Sequence, residues 1–223
     1  MFKQNFINVH SHHKPLNENE FVIRNAYLHS ISGLPSNYSL SIGIHPWFIS
    51  KITLDQSEKK MRLLLAQPNF MAIGEIGLDK LKPYWTQQLI YFEMQLLLAK
   101  EFNKPVIIHC VKAYNYLITF IKKSDSQFIL HGYNGNLVQT KQLVKFENVY
   151  FSFGPKQLNV GDKIKEVLRI ITPERIFIET DTQRIPVLQV YNKILPYFQL
   201  SLTALQNQII ANFIHVFKES NSS

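Results

Sequence analysis

The chain has a single cysteine, Cys110, so no intrachain disulfide can staple it. No run approaches the ~18 apolar residues of a membrane-spanning helix, and Met1-Phe2-Lys3-Gln4-Asn5 lacks the apolar core of a signal peptide. A cytoplasmic protein with no membrane attachment is the expectation. No Pro/Gly/Ser-rich linker divides the 223 residues, no segment repeats, and no tract is of low complexity. One domain over 1–223, acting as a monomer, is therefore expected. A glycine-rich dinucleotide loop is also missing. The net charge of +8 favours polyanionic partners such as nucleic acid or phosphorylated substrates. No basic tail or Arg-rich run concentrates that charge, so a binding surface must be assembled by the fold.

What is present is a succession of short apolar, β-prone runs. Phe6 to Val9 leads into His10-Ser11-His12, and it is followed by Phe21–Leu28, Ser39–Ile44, Met71–Ile76, Pro105–Cys110, Gln127–His131, Val149–Phe153 and Arg175–Asp181. Turn residues at Gly33–Asn37 separate the second from the third. Helical spacing appears at 58–66, where Thr53 or Asp55 can cap, and at 84–102, where Leu89, Phe92, Leu96 and Ala99 recur at intervals of three and four. Further helices are expected at 114–123, 137–146, 164–171 and 203–217. Eight strands, apolar throughout and mostly separated by helices, describe a (β/α)8 TIM barrel of the α/β class. The first two connections are too short for full crossover helices, so the barrel should be trimmed there.

In such a barrel the active site lies at the C-terminal ends of the strands. That rule gathers His10, His12, His45, Glu75, His109, His131 and Asp181 into one set. His10 and His12 alternate with Ser11, so both face one way. A buried charge or imidazole is costly unless it is paired or bound to metal, and these are the N/O ligands that Zn²⁺, Mn²⁺ or a related ion accepts. His10, His12, Glu75, His109, His131 and Asp181 are more ligands than one tetrahedral ion needs. A carboxylate able to bridge suggests two ions about 3.5–4 Å apart, an arrangement suited to phosphoester hydrolysis.

These pieces resemble the TatD family of metal-dependent deoxyribonucleases. The matching segments are Asn8-Val9-His10-Ser11-His12, Gly43-Ile44-His45-Pro46, Gly74-Glu75-Ile76-Gly77-Leu78-Asp79, Pro105 to Cys110, His131-Gly132-Tyr133-Asn134-Gly135 and Ile178-Glu179-Thr180-Asp181. The helix with Gln88, Phe92, Gln95 and Leu96 also fits, and the wording at 77–80 and 109–113 is similar to a short-chain branch. The resemblance implies that His10 and His12 hold a first divalent ion (Mg, Mn or Zn) and that Glu75 bridges to a second held by His109 and His131. Asp181 would bind the first ion and accept a proton from the attacking water. The implied reaction is phosphodiester hydrolysis in DNA, exonucleolytic from the 3′ end.

The chain departs from the family pattern at Trp47, at Val111 and Lys112, and at Thr182-Gln183-Arg184, all in loops that would face substrate. His45 is a substrate contact or a support for the site. Lys80, Lys112, Lys156 and Arg184 follow strand ends and are candidates for phosphate contact, although each alone also reads as a solvated charge. Trp47 and Tyr133 could stack on bases or simply pack, and Gly132 to Gly135 could offer backbone N–H groups to an oxyanion. Alternation turns Cys110 away from the barrel interior, while Glu179 shares Asp181's face as a buried support. Two other readings stay open: hydrolysis of a C–N bond or aminoacyl ester at the same site, and a binding protein with a vestigial site.

Overall fold

Eight parallel strands pair in the order in which they occur in the chain. They are β1 (Phe6–Ser11), β2 (Glu20–Tyr27), β3 (Ser39–Gly43), β4 (Phe70–Asp79), β5 (Val106–Val111), β6 (Phe128–Leu130), β7 (Val149–Phe153) and β8 (Ile176–Ile178). The computed structural model describes residues 6–31, 37–159 and 162–218, without the side chains of 162, 163 and 218. The turn expected at Gly33–Asn37 therefore falls almost wholly outside the described residues. The sheet curls until Ser11 bridges Asp181 and the His12 N–H donates to the Asp181 carbonyl at 2.9 Å. The result is the expected (β/α)8 barrel.

Helices α1 (Leu54–Leu65), α2 (Trp85–Glu101), α3 (Tyr114–Ile121), α4 (Leu137–Leu143) and α5 (Asp162–Leu168) each follow one strand from β3 to β7. After β8 come α6 (Val187–Ile194) and α7 (Leu202–Lys218). Among the described residues the first two crossovers carry no α-helix, which is the trimming the short connections imply. Thr53 caps α1 by accepting from the Gln56 N–H, so that helix starts four residues before Glu58. Asn136 and Gln139 cap α4 reciprocally, each side chain bonded to the other's backbone N–H at 2.9 Å.

Two differences from the sequence reading bear on the site. β4 continues past its apolar run to Asp79, because Gly77, Leu78 and Asp79 pair with His109, Cys110 and Val111 of β5. The helix α6 was not anticipated. Its buried Val187, Val190, Tyr191 and Ile194 follow helical spacing, but Val and Tyr are β-prone and the segment is only two turns long.

Strand residues are buried on both faces, as an all-parallel sheet requires. The seam between β8 and β1 is the weak point, since β8 is only three residues long. Side chains replace the missing ladder there. Asn8 Nδ2 donates to Thr180 Oγ1 at 2.9 Å while Asn8 Oδ1 accepts from the Thr180 N–H at 3.1 Å. From α6, the Tyr191 hydroxyl accepts from the Ile7 N–H and donates to the Ile7 carbonyl, both at 3.1 Å. Tyr191→Phe keeps the ring and strands two buried backbone groups, so it should cost about 1–3 kcal/mol. Urea unfolding measures this, and an unchanged midpoint would show that the hydroxyl does not secure the seam.

Candidate metal centre

Glu75 sits on β4 at the C-terminal mouth of the barrel, 4% exposed. Its Oε1 lies 3.0 Å from His45 Nε2, 3.1 Å from His109 Nδ1 and 3.1 Å from His131 Nε2. Its Oε2 faces the other way, 3.6 Å from His10 Nε2 and 3.8 Å from His12 Nε2. Asp181 Oδ1 closes that second side at 3.5 Å from His12 Nε2 and 4.0 Å from His10 Nε2. The strand-end residues of β1, β3, β4, β5, β6 and β8 thus meet around one carboxylate.

The donor atoms form overlapping groups. Those of His10, His12 and Glu75 lie within 4.8 Å of one another, as do those of His45, Glu75 and His109, and those of His10, His131 and Asp181. His10 supplies the test of whether a cation suits the site. It is fully buried, and neither ring nitrogen has a hydrogen-bond partner. An imidazole buried with both nitrogens idle is costly, and a divalent ion held by Nε2 would give one of them a partner. The donor set of imidazoles and carboxylates fits such an ion.

Electrostatics divide the histidines. Burial pushes His10 down to about 4, and neighbouring His131 adds to the shift. His131 goes the opposite way: burial would lower it, but Glu179 and Glu75 hold it well above the ordinary histidine value. Burial would raise Glu75, yet His131, His109 and His45 keep its carboxyl well below the usual range. Asp181 is likewise held down, against its burial, by the bond to His12 and by His131, His10 and Lys156.

Comparison with known proteins now decides the family. A family model described as TatD related DNase matches residues 17–218. The chain belongs to the TatD family. It is 29% identical over 167 residues to an uncharacterized metal-dependent hydrolase of Haemophilus influenzae, covering 69% of this chain and 62% of that protein. It is also 29% identical over 159 residues to the 3′-5′ ssDNA/RNA exonuclease TatD of Erwinia amylovora, covering 68% and 61%. The chain spans about three fifths of the length of the curated relatives it matches. Among solved structures, YjjV, a TatD homologue from Escherichia coli, superposes with a TM-score of 0.82 at 20% identity, covering 96% of this chain and 98% of that one.

Around this TatD centre lie supports that the sequence reading caught only in part. Glu179, fully buried, accepts from His131 Nδ1 at 2.9 Å and from the Gly132 N–H at 3.0 Å. Asn25 Oδ1 accepts from the Glu75 N–H at 2.8 Å. Asp79, which alternation places on the face of Glu75, lies 3.5 Å from His109 Nε2 and accepts from the Trp47 indole N–H at 2.8 Å. The sequence pattern assigns no site role to Asn25, Asp79 or Tyr27. The Tyr27 ring stands 5.6 Å from that of His12, and burial together with Glu75 and Asp181 raises its hydroxyl, keeping it a proton donor. Gly77 is required by space, since its φ is +147° and a Cβ would collide with the His109 carbonyl.

The substrate candidates separate. A cavity of ≈ 400 Å³ opens beside His109, His131 and Asp181, with Lys112, Asn134 and Lys156 on its walls. A smaller one of ≈ 150 Å³, near Lys104, Pro105 and Gln127, lies at the opposite end of the barrel and holds none of these groups. Lys156 Nζ is 3.1 Å from Asp181 Oδ2. Arg184 is exposed and lies outside the cavity walls. His45 is drawn onto Glu75 and joins the donor set. Tyr133 does not stack on substrate: it is 1% exposed, its ring packs edge-on against Phe151, and its hydroxyl pairs with Thr140 Oγ1 at 2.9 Å. Burial pushes the Cys110 thiol up to about 12, which removes it as a nucleophile.

Proton titration in the metal-free protein should resolve the two histidine environments. By NMR, His10 should stay neutral until about pH 4 while the His131 midpoint should lie above the ordinary histidine value, and Glu179→Gln should lower it. His10 has a folded pKa below its unfolded value near 6.5. Its contribution to stability is therefore present above that value and lost as the pH falls towards 4. The raised His131 contributes fully below about 6.5, and that contribution disappears as the pH rises through its folded value. If both rings titrate together near 6.5, this electrostatic division is wrong.

Proposed function

We propose that this chain is a metal-dependent phosphodiesterase that removes nucleotides from single-stranded nucleic acid, DNA first, by attack of water from the 3′ end. The observation that carries the reading is the two-sided Glu75, whose Oε1 faces three imidazoles and whose Oε2 faces two more, which Asp181 approaches in turn. His10, His12 and Asp181 would hold one divalent ion, His45, His109 and His131 would serve a second, and Glu75 would lie between them. Divalent ions bound there supply an activated water and offset charge on the phosphoryl oxygens.

The chain's own groups do the rest. Asp181, ionised and steadied through Oδ2 by Lys156, accepts the proton of the attacking water through Oδ1. Glu179 fixes the tautomer and direction of His131 through Nδ1. Asn25 anchors the Glu75 backbone, and Asp79 with Trp47 orients His109. Lys112 and Lys156, both exposed on the cavity wall, suit a phosphate better than the neutral carbonyl of an amide. Relatives named as 3′-5′ exonucleases support the direction of attack.

The test is nucleotide release from 3′-labelled single-stranded DNA and RNA by protein stripped of metal and resupplied with Mg²⁺, Mn²⁺ or Zn²⁺. Release should require metal, and Asp181→Asn should slow it by about 10²- to 10⁴-fold. Glu179→Gln should weaken metal retention by about 10- to 100-fold, read by elemental analysis across a chelator series. No release with any metal, together with turnover of an amide or aminoacyl ester, would replace this reading with the C–N or ester hydrolase.

A further inference from the structure

The loop between β4 and α2 departs from the metal centre and, with Trp47 and Tyr116, forms an aromatic and basic surface whose lysines and exposed ring faces have no part in the reaction proposed above. Residues 80–92 contain no aspartate or glutamate, and Lys80, Lys82 and Tyr84 are exposed. Lys82 Nζ rests 4.4 Å from the centre of the Trp47 ring. Lys80 Nζ rests 4.5 Å from the Tyr116 ring and 5.5 Å from the Trp85 ring, and those two rings meet edge to face at 5.0 Å. Trp47 is 52% exposed and Tyr84 54%, large areas of flat apolar ring for a protein to leave in water.

This surface is continuous with the site. Trp47 is tied through its N–H to Asp79, and Asp79 faces His109; the Trp47 ring stands 5.9 Å from that of His109 and 5.0 Å from that of His45. The acid in that linkage, Asp79, is 2% exposed and is engaged by the Trp47 N–H beside His109. Flat rings interleaved with cations are what an unpaired strand uses: bases stack on the rings and phosphates meet the ammonium groups. A duplex keeps its base faces stacked inside and cannot use the rings, and an acidic peptide would meet the lysines but leave the indoles idle.

We propose that a single-stranded nucleic acid, with its scissile phosphate at the metal centre and its terminal nucleotide in the 400 Å³ cavity, runs out across Trp47–Lys82 and then Lys80–Trp85–Tyr116. This rests on the nuclease reading and adds to it a docking track that makes binding depend on strand length. It also explains why Trp47 stands where the family pattern differs: the indole both steadies Asp79 and offers a stacking face.

The two tryptophans of the chain, Trp47 and Trp85, are both on the track, so the molecule carries its own probe. Phosphorothioate thymidine dodecamer and dinucleotide are titrated into the Mg²⁺-loaded full chain, following tryptophan emission and the anisotropy of an end label. The dodecamer should bind more tightly than the dinucleotide. In Trp47→Phe, where only Trp85 emits, the dodecamer should quench and the dinucleotide should not. Lys80→Ser with Lys82→Ser, both exposed, should weaken dodecamer binding roughly tenfold and lower the salt slope by about 1.4, the value for two lost phosphate contacts on a single strand.

Equal affinity of the double variant and the native chain for the dodecamer overturns the proposal. So does weaker binding in the variant without quenching of Trp85 in the single-tryptophan protein, which would leave only diffuse attraction. Absence of nucleotide release in the cleavage assay counts against the nuclease reading, while length-dependent binding with quenching would still locate the track. Cleavage without either effect would retain the nuclease and remove the track.

Discussion

A carboxylate buried at the mouth of a barrel is the constraint to which the surrounding structure answers. Removing an ionised carboxyl from water costs several kcal/mol after relaxation, and Glu75 is held ionised against its burial by His131, His109 and His45, which converge on its Oε1. Each imidazole comes from the end of a different strand or from neighbouring residues of one strand. The site is therefore a product of closure: it cannot exist until β1 and β8 have met.

That dependence explains where the chain invests its polar interactions. The β8–β1 seam, with almost no ladder of its own, is held by Asn8, Thr180 and Tyr191. The same seam carries His10 and His12 on one side and Asp181 on the other, so the bonds that close the barrel also set the distance between these donors. Across the barrel, the extension of β4 along β5 brings Asp79 beside His109. Gly77 permits that close approach because it has no Cβ to strike the His109 carbonyl. One end of the donor set is thus positioned largely by side-chain bonds across the seam, the other by strand pairing.

The rim follows a different rule. Lysines 112 and 156 line a cavity over β5 to β7, whereas the segments after β3 and β4, with Tyr116 of α3, present rings with lysines resting on them. A phosphate needs charge, and an unpaired base needs a flat face. On the proposed reading the two sectors of the rim would supply these separately, from lysines and rings that no basic run in the chain marks.

The order of strands, the trimmed first crossovers and the gathering of His10, His12, Glu75, His109, His131 and Asp181 at one end of the barrel were legible in the chain itself. Apolar runs ending in ligating residues repeat often enough to identify a barrel and its active end, because buried strands and costly buried charges leave marks in linear sequence. Tertiary structure alone decided what each side chain touches. His45, open between a substrate contact and a support for the site, became a partner of Glu75, Tyr133 turned inward beneath the loop, and Asn25, Asp79 and Tyr27 entered the site from positions that local pattern does not mark. The reason is physical: periodicity tells which face a residue takes, but distances across a closed barrel depend on register and closure, which no local stretch of sequence contains.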